Sequence, residues 1–523
     1  MTGAGARVAS GERFAAVSGC PEATAAALAV LDRRGNVFDA ALAASAVLCV
    51  ALPHAVALGG DLFALVRRGS SGRVVAINAT GAAPAEATIE AYRSRLLPRV
   101  PAIGPLSIQA PGLVAGWQAI ADRFASLPLA ALLEPAIAMA DLGFPAGGRL
   151  ARIAEELYAD YSPIPGWREA FAPAGRPISA GERLRQPALA GTLREIAGRG
   201  AAGFYSGPVA RDIAATVRRA GGLLSENDLE AVRAEEHETL SISYSGARIH
   251  TQPPISQGVV LLRAMRLLAQ ADGVDPSDDV RWWPIAARAI ARAFAERLAL
   301  LGDDSDARRR AEALLDGTCA ADARDLAARQ GGETTSLAVV NASGDAIGII
   351  QSVFADFGSG VVGRESGVLL NNRLSAFFLD PGHPNALKPR RKTMHTLHGY
   401  LAEDARGFKF VGGSPGGDNQ PQVNLQVLSR VLDRGEDPGE AVAAPRWSVF
   451  PGTNPADLEG ARTATVKCEP GLDPALGEAF RAAGFALQRE TAANIGSAKL
   501  VGRISDKLGA WADDRREGSV GAS

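Results

Sequence analysis

Thr334 and Thr335 stand at the head of a run in which apolar residues alternate, and Ser352 stands near the end of a second such run. The runs, Thr335 to Asn341 and Ala346 to Val353, are separated by Ser343-Gly344-Asp345. Period-two apolar segments around a Gly-Asp turn predict a β-hairpin. With the turn near Ser343-Gly344, facing residues have numbers that sum to roughly 687, within a residue of register. This sets the Ser352 hydroxyl opposite Thr334 and Thr335, at the open end of the hairpin. Hydroxyls so placed suit a nucleophile and a hydrogen-bonding partner. Thr–Ser pairs across strands are also ordinary sheet stabilisers, so spacing alone leaves both readings open.

A hydroxyl nucleophile needs a base and a place for the developing oxyanion. The six histidines form no HExxH or similar pairing, so no metal site is expected and none of them suggests itself as the base. The turn Gly412-Gly413-Ser414-Pro415-Gly416-Gly417-Asp418 is a candidate for the oxyanion, because consecutive glycines let backbone N–H groups converge on one point. Gly358 to Gly363 satisfies GxGxxG but leaves a hairpin and enters Arg364-Glu365-Ser366-Gly367. A dinucleotide fingerprint must follow a parallel strand and open a helix, so no nucleotide and no other cofactor is expected.

The stretch beginning at Glu333 resembles the start of the small subunit of the γ-glutamyltransferases, a family of N-terminal nucleophile (Ntn) hydrolases. Thr334-Thr335, Val339-Val340, Gly344, Phe357-Gly358-Ser359-Gly360, Glu365-Ser366-Gly367 and Leu370-Asn371-Asn372 match without a gap. The resemblance implies a proenzyme that cuts its own chain between Glu333 and Thr334. It puts Thr334 on the nucleophile, Ser352 on the second hydroxyl and Gly416-Gly417 on the oxyanion hole. The base is then the new α-amino group of Thr334, with a pKa of about 7.7–8.0 in model peptides. The implied fold is α+β, a four-layer αββα sandwich built jointly by a large-subunit region, residues 1–333, and a small-subunit region, residues 334–523.

Several positions depart from the family pattern. Its Arg-Glu-x-Ala-Pro segment, whose Arg holds the glutamyl carboxylate, here reads Thr80-Gly81-Ala82-Ala83-Pro84. Its Asn, Gln and Asp contacts fall on Phe354, Arg373 and Ala376, and its Ser-Ser pair on Lys392-Thr393. The carboxylate for a substrate ammonium is gone, while Arg373 and Lys392 bring new cations. Phe354, Arg373, Lys392 and Thr393 are therefore the candidate substrate contacts, with surface ion pairing the competing reading for the two cations. The pattern resembles the oxamate amidohydrolase and cephalosporin acylase branch of the family. It favours amides of a short acyl group that carries a carboxylate and no α-ammonium. A γ-glutamyltransferase or glutathione hydrolase with a rearranged pocket is the alternative, and an uncut, non-catalytic homologue is another.

The elements that must position these residues read as follows. The chain of 523 residues is 47% hydrophobic and 21% charged, which supports a substantial core. A formal net charge of −2 gives no reason to expect nucleic acid as a partner. The N-terminus lacks an apolar signal-peptide core, and Ala40 to Leu58, interrupted by Ser45, Pro53 and His54, reads as a buried helix and not a membrane span. A cytoplasmic protein is expected, with partners limited to a small-molecule amide and the two fragments of its own chain; the oligomeric state, up to a homo-oligomer of heterodimers, is left open. Cys20, Cys49, Cys319 and Cys468 have no metal-ligand spacing and read as buried thiols. Helices are predicted over Glu22–Leu31 and Phe38–Val50, with a capping signature at Ser225 and Asp228. Leu240–Thr251 reads as one strand before the turn at Pro253–Gly258. The Arg- and Ala-rich stretch Arg281–Gln330 reads as a solvated helical face that runs into a loop before Glu333.

Overall fold

The structure is a computed structural model that describes residues 5–318, 333–450 and 464–523. The loop predicted at Gly331-Gly332, and Cys319, lie outside the described residues. The two main sheets are built from β1 (Ala6–Gly11), β2 (Phe14–Ser18), β3 (Asp61–Arg67), β4 (Val74–Ala79), β5 (Glu235–Glu238), β6 (Leu240–Tyr244), β7 (Ala247–Thr251), β8 (Glu333–Asn341), β9 (Ala346–Phe354), β10 (Tyr400–Asp404), β11 (Gly407–Gly413), β12 (Lys499–Ile504), β13 (Lys507–Asp513) and β14 (Ser519–Ala522). One sheet has the order β14-β2-β8-β9-β3-β4-β5, the other β1-β13-β12-β11-β10-β7-β6.

Alternation along β8 shows how the layers arise. Leu337 and Val339 pack outward against helices, while Ala338 and Val340 pack inward between the sheets with Leu401, Val411, Val501 and Ala510. Successive side chains on a strand point to opposite faces, so each strand serves two cores at once. The helices Pro21–Asp32, Val37–Ala51 and Leu113–Phe124 cover the sheet that holds β8. Gly258–Leu268, Asp279–Leu300 and Asn419–Asp433 cover the other. The result is the αββα sandwich.

The helix Val37–Ala51 is buried on every side. Its start is set by a capping box, in which Asn36 accepts from the Phe38 and Asp39 amides and Asp39 accepts from the Asn36 amide. The capping box at Ser225 and Asp228 also forms. No helix among the described residues is long and apolar enough to cross a membrane.

Two expectations need correction. Leu240–Thr251 is a hairpin, β6 and β7, broken at Ser245 and Gly246, both with positive φ. Asp279–Leu300 is no solvated face: Trp282, Trp283 and Phe294 are buried, and so are Glu296 and Arg297. Glu296 accepts from Nε and Nη2 of the buried Arg263, at 2.7 and 3.0 Å, which offsets part of the cost of taking that charge out of water.

The sheet that carries β8 mixes the two halves of the chain. β8 and β9 pair with β2 on one side and β3 on the other, so strands after residue 333 are flanked by strands before it. Leu401 is fully buried between the sheets and pairs with Val411 and His250. Leu401→Ala should lower stability by about 2–5 kcal/mol, measured by urea unfolding against the parent protein.

Candidate active site

The β8–β9 turn is held by Asn341 and Asp345. The Asn341 amide donates to the Asp345 carboxylate at 3.0 Å, and the Asp345 backbone N–H donates back to Asn341 Oδ1 at 3.0 Å. Gly344 takes the left-handed conformation, with φ of 82°. From this turn the register runs Val340 with Ala346 through Thr335 with Gln351. It then shifts, and Glu333 pairs with Phe354. Thr335 therefore faces Gln351 and not Ser352, while Ser352 and Val353 together stand across from Thr334. An extra residue in one strand is a bulge, a device that re-aims side chains near sites. Thr334, Thr335 and Ser352 are all buried.

Beyond the bulge the backbone is unusual. Phe354 has φ of 86°, a region few non-glycine residues adopt. Its N–H donates to Ser352 Oγ at 2.7 Å, and the next amide, Ala355, donates to Asn372 Oδ1 at 3.0 Å. The Phe354 ring lies under the Arg373 guanidinium, 4.1 Å from Cζ to the ring centre, close enough for a cation–π contact.

Arg373 belongs to a buried polar cluster that the sequence reading did not foresee. Asp61, the first residue of β3, pairs with Ser352 in the ladder. Its Oδ2 lies 3.1 Å from His395 Nε2 and 3.5 Å from Arg373 Nε, and all three side chains are fully buried. The Gly112 amide donates to Asp61 Oδ1 at 3.3 Å. His395 Nδ1 accepts from the Leu397 amide at 3.1 Å, so the proton of the neutral ring sits on Nε2 and points at Asp61. Arg297 donates to the His395 carbonyl at 2.9 Å. Burial lowers Arg373 and Arg297 to about 10, and both stay protonated at neutral pH. Arg373 Nη1 donates to Thr396 Oγ1 at 3.3 Å, whereas Nη2, also buried, has no hydrogen-bond partner among the described residues.

The glycine turn lies at the same end of the sandwich. Ser336 Oγ, two residues after Thr334, donates to the Gly413 carbonyl at 3.3 Å, and Gly413 leads into Ser414-Pro415-Gly416-Gly417. Gly416 and Gly417 both have positive φ, 117° and 56°. Gln257 fixes the turn from behind, donating to the Gly417 carbonyl at 2.8 Å.

Of the other predicted contacts, Lys392 lines a small cavity, of about 240 Å³, with Thr80, Gly81 and Ala83, and Thr393 does not. Lys392 is ion-paired with Glu235, and Thr393 bonds with Asn385. Gln109 joins this region to Arg373. Its side-chain amide donates to the Gly81 carbonyl at 2.7 Å and Thr80 Oγ1 at 3.1 Å, and its backbone N–H shares Asn371 Oδ1 with that of Arg373. Gln109 Oε1 is buried without a donor among the described residues. No group of three or more His, Cys, Asp or Glu residues among the described ones could hold a metal ion.

The gamma-glutamyltranspeptidase family model matches residues 23–523, and the chain belongs to that family. It is 33% identical over 448 residues to the glutathione hydrolase-like YwrD proenzyme of Bacillus subtilis, covering 83% of this chain and 84% of the relative. It is 34% identical over 443 residues to the oxamate amidohydrolase proenzyme of Klebsiella pneumoniae, covering 81% and 83%. The crystal structure of cephalosporin acylase from Bacillus halodurans superposes with a TM-score of 0.88 at 30% identity, covering 99% of this chain and 97% of that one. The fold is that of the Ntn hydrolases.

The buried histidine gives a pH dependence. Burial holds His395 down to about 4, against about 6.5 in an unfolded chain. The unfolded chain therefore takes up this proton first, and stability falls as pH drops from about 6.5 to about 4. His383 and His398, lowered by burial to about 4 and about 3, act in the same sense. His395→Gln should remove about one proton from the pH slope of unfolding stability in that window; an unchanged slope would rule out a buried neutral imidazole.

Proposed function

We propose that the protein is a self-processing amidohydrolase that acts on amides of small, carboxylate-bearing acyl groups. In processing, Thr334 Oγ1 attacks the Glu333 carbonyl carbon and the Glu333–Thr334 peptide bond breaks. The departing nitrogen takes a proton to become the Thr334 α-amine. Water then hydrolyses the resulting ester, which restores the hydroxyl and leaves a carboxylate on Glu333. In turnover the α-amine accepts the hydroxyl proton as Oγ1 attacks the substrate amide, and it returns a proton to the leaving amine. The N–H groups of Gly416 and Gly417 receive the oxyanion, and water releases the acyl group as the acid. Ser352, across from Thr334, serves as the second hydroxyl that orients the nucleophile.

The observation that carries the substrate class is Arg373 Nη2, a buried charged donor without a hydrogen-bond partner among the described residues, on a residue stacked on Phe354. A buried donor left unpaired is costly, and a guanidinium edge matches a carboxylate. Gln109 Oε1 adds an acceptor suited to an amide N–H. A γ-glutamyl group would also bring an ammonium, yet position 376 is Ala, and Asp61 is already engaged by Arg373 and His395. Lys392 contributes less to this reading because Glu235 pairs with it.

Two experiments test the proposal. N-terminal sequencing of the smaller fragment should begin Thr-Thr-Ser, and Thr334→Ala should remain a single chain on denaturing electrophoresis. A Thr334→Ala protein that is still cut would remove Thr334 from the nucleophile's role. In kinetics on oxamate, a glutaryl amide and a γ-glutamyl anilide, the two carboxylate amides should turn over fastest. Arg373→Ala should raise KM for them by about tenfold or more, about 1.4 kcal/mol, while processing continues. Efficient turnover of the anilide alone would overturn the substrate assignment.

A further inference from the structure

A separate cavity, of about 700 Å³, opens between Pro165 and the short helix Trp167–Phe171 that follows it, the segment Arg185–Leu189 and the turn Val362–Leu369. Its volume falls in the range of small-molecule sites, about 300–1,000 Å³. Thr334, Ser352, Arg373 and the glycine turn take no part in its lining. The floor is apolar and buried, made by Ala57, Phe171, Leu189 and Val362. The rim is cationic.

Arg185, Arg219 and Arg364 line the cavity, with Glu169 as the one carboxylate. None of the three guanidiniums has an ion pair among the described residues. Arg185 donates to the Asp141 carbonyl at 2.9 Å and Arg219 to Thr216 Oγ1 at 3.3 Å, both neutral acceptors. Three guanidiniums without carboxylate partners above an apolar floor complement a ligand with an anionic head and an apolar body.

We infer that this cavity is a second binding site, separate from the reaction centre, for a small amphipathic carboxylate such as an aryl-substituted fatty acid. The head forks onto the arginine rim, and the ring or chain covers the floor. Placement gives the site a route to the nucleophile strand. Pro53 and Ala57 line the cavity, and between them the carbonyls of His54 and Ala55 accept from the amides of Phe357 and Val353, at 2.9 and 3.1 Å. Those amides bracket Phe354.

Calorimetric titration of the full protein with 4-phenylbutyrate, 4-phenylbutanamide and phenyl phosphate tests the inference. The carboxylate should bind with a Kd below about 1 mM, and the neutral amide should not bind. An Arg219→Ala/Arg364→Ala double variant should weaken the carboxylate by about tenfold or more while it is still processed and active. Arg373→Ala should leave this binding intact, which separates the cavity from the reaction centre. Absence of carboxylate binding, equal binding by the double variant, or loss of binding in Arg373→Ala would each overturn the inference. Tighter binding of phenyl phosphate than of phenylbutyrate would overturn the choice of a carboxylate head.

Discussion

A single carboxylate out of reach of water governs the geometry of the candidate site. Asp61 opens a strand, neighbours Ser352 in the ladder, and holds both Arg373 and His395. Burying such charges is tolerable only when each finds a partner, and removal of one partner costs about 3–5 kcal/mol. The position of the guanidinium is therefore no surface accident. It is tied through Asp61 to the same sheet that presents Thr334, and the Phe354 ring stacks against it. The backbone of Phe354, in a conformation that costs roughly 1–3 kcal/mol, is held by hydrogen bonds to Ser352 and Asn372. The start of β9's partner strand, Ser352 and the guanidinium are joined through Asp61 and Phe354.

What could be read in advance was local. The β8–β9 hairpin was legible because apolar residues alternate on both sides of Ser343-Gly344-Asp345, and the Ser225 capping box because its two partners are three residues apart. The split of Leu240–Thr251 was missed because a two-residue turn at Ser245-Gly246 barely interrupts the alternation. The burial of Arg297 was missed for a different reason. An arginine on a charge-rich helix looks solvated until its partners are known, and those lie on the distant segment around His395.

The reaction centre was legible only in outline. Thr334, Ser352 and the two glycines followed from resemblance, with spacing as support for the first two. Asp61 is a lone acid after two glycines, and His395 sits in a basic run; nothing local joins them across the chain. Arg373 was read as a substrate contact or a surface ion pair, whereas it is buried, stacks on an aromatic ring and shares an acid with His395. Lys392 was grouped with it, and the fold gives that side chain to Glu235. Long-range pairing decided each of these, and pairing of that kind leaves no periodic trace in sequence.

The strand order carries one more consequence. Two strands that follow residue 333 lie wedged between two that precede it, and another late strand, β14, closes the edge beside β2. Under the proposed cut before Thr334, a chain laced in this way must fold before it is severed, since strands of both pieces alternate in one sheet. After severing, the lacing remains: the pieces can part only by unzipping whole ladders of backbone hydrogen bonds. One break in the backbone thus adds a chain end at the centre of the molecule without adding a seam along which it can come apart.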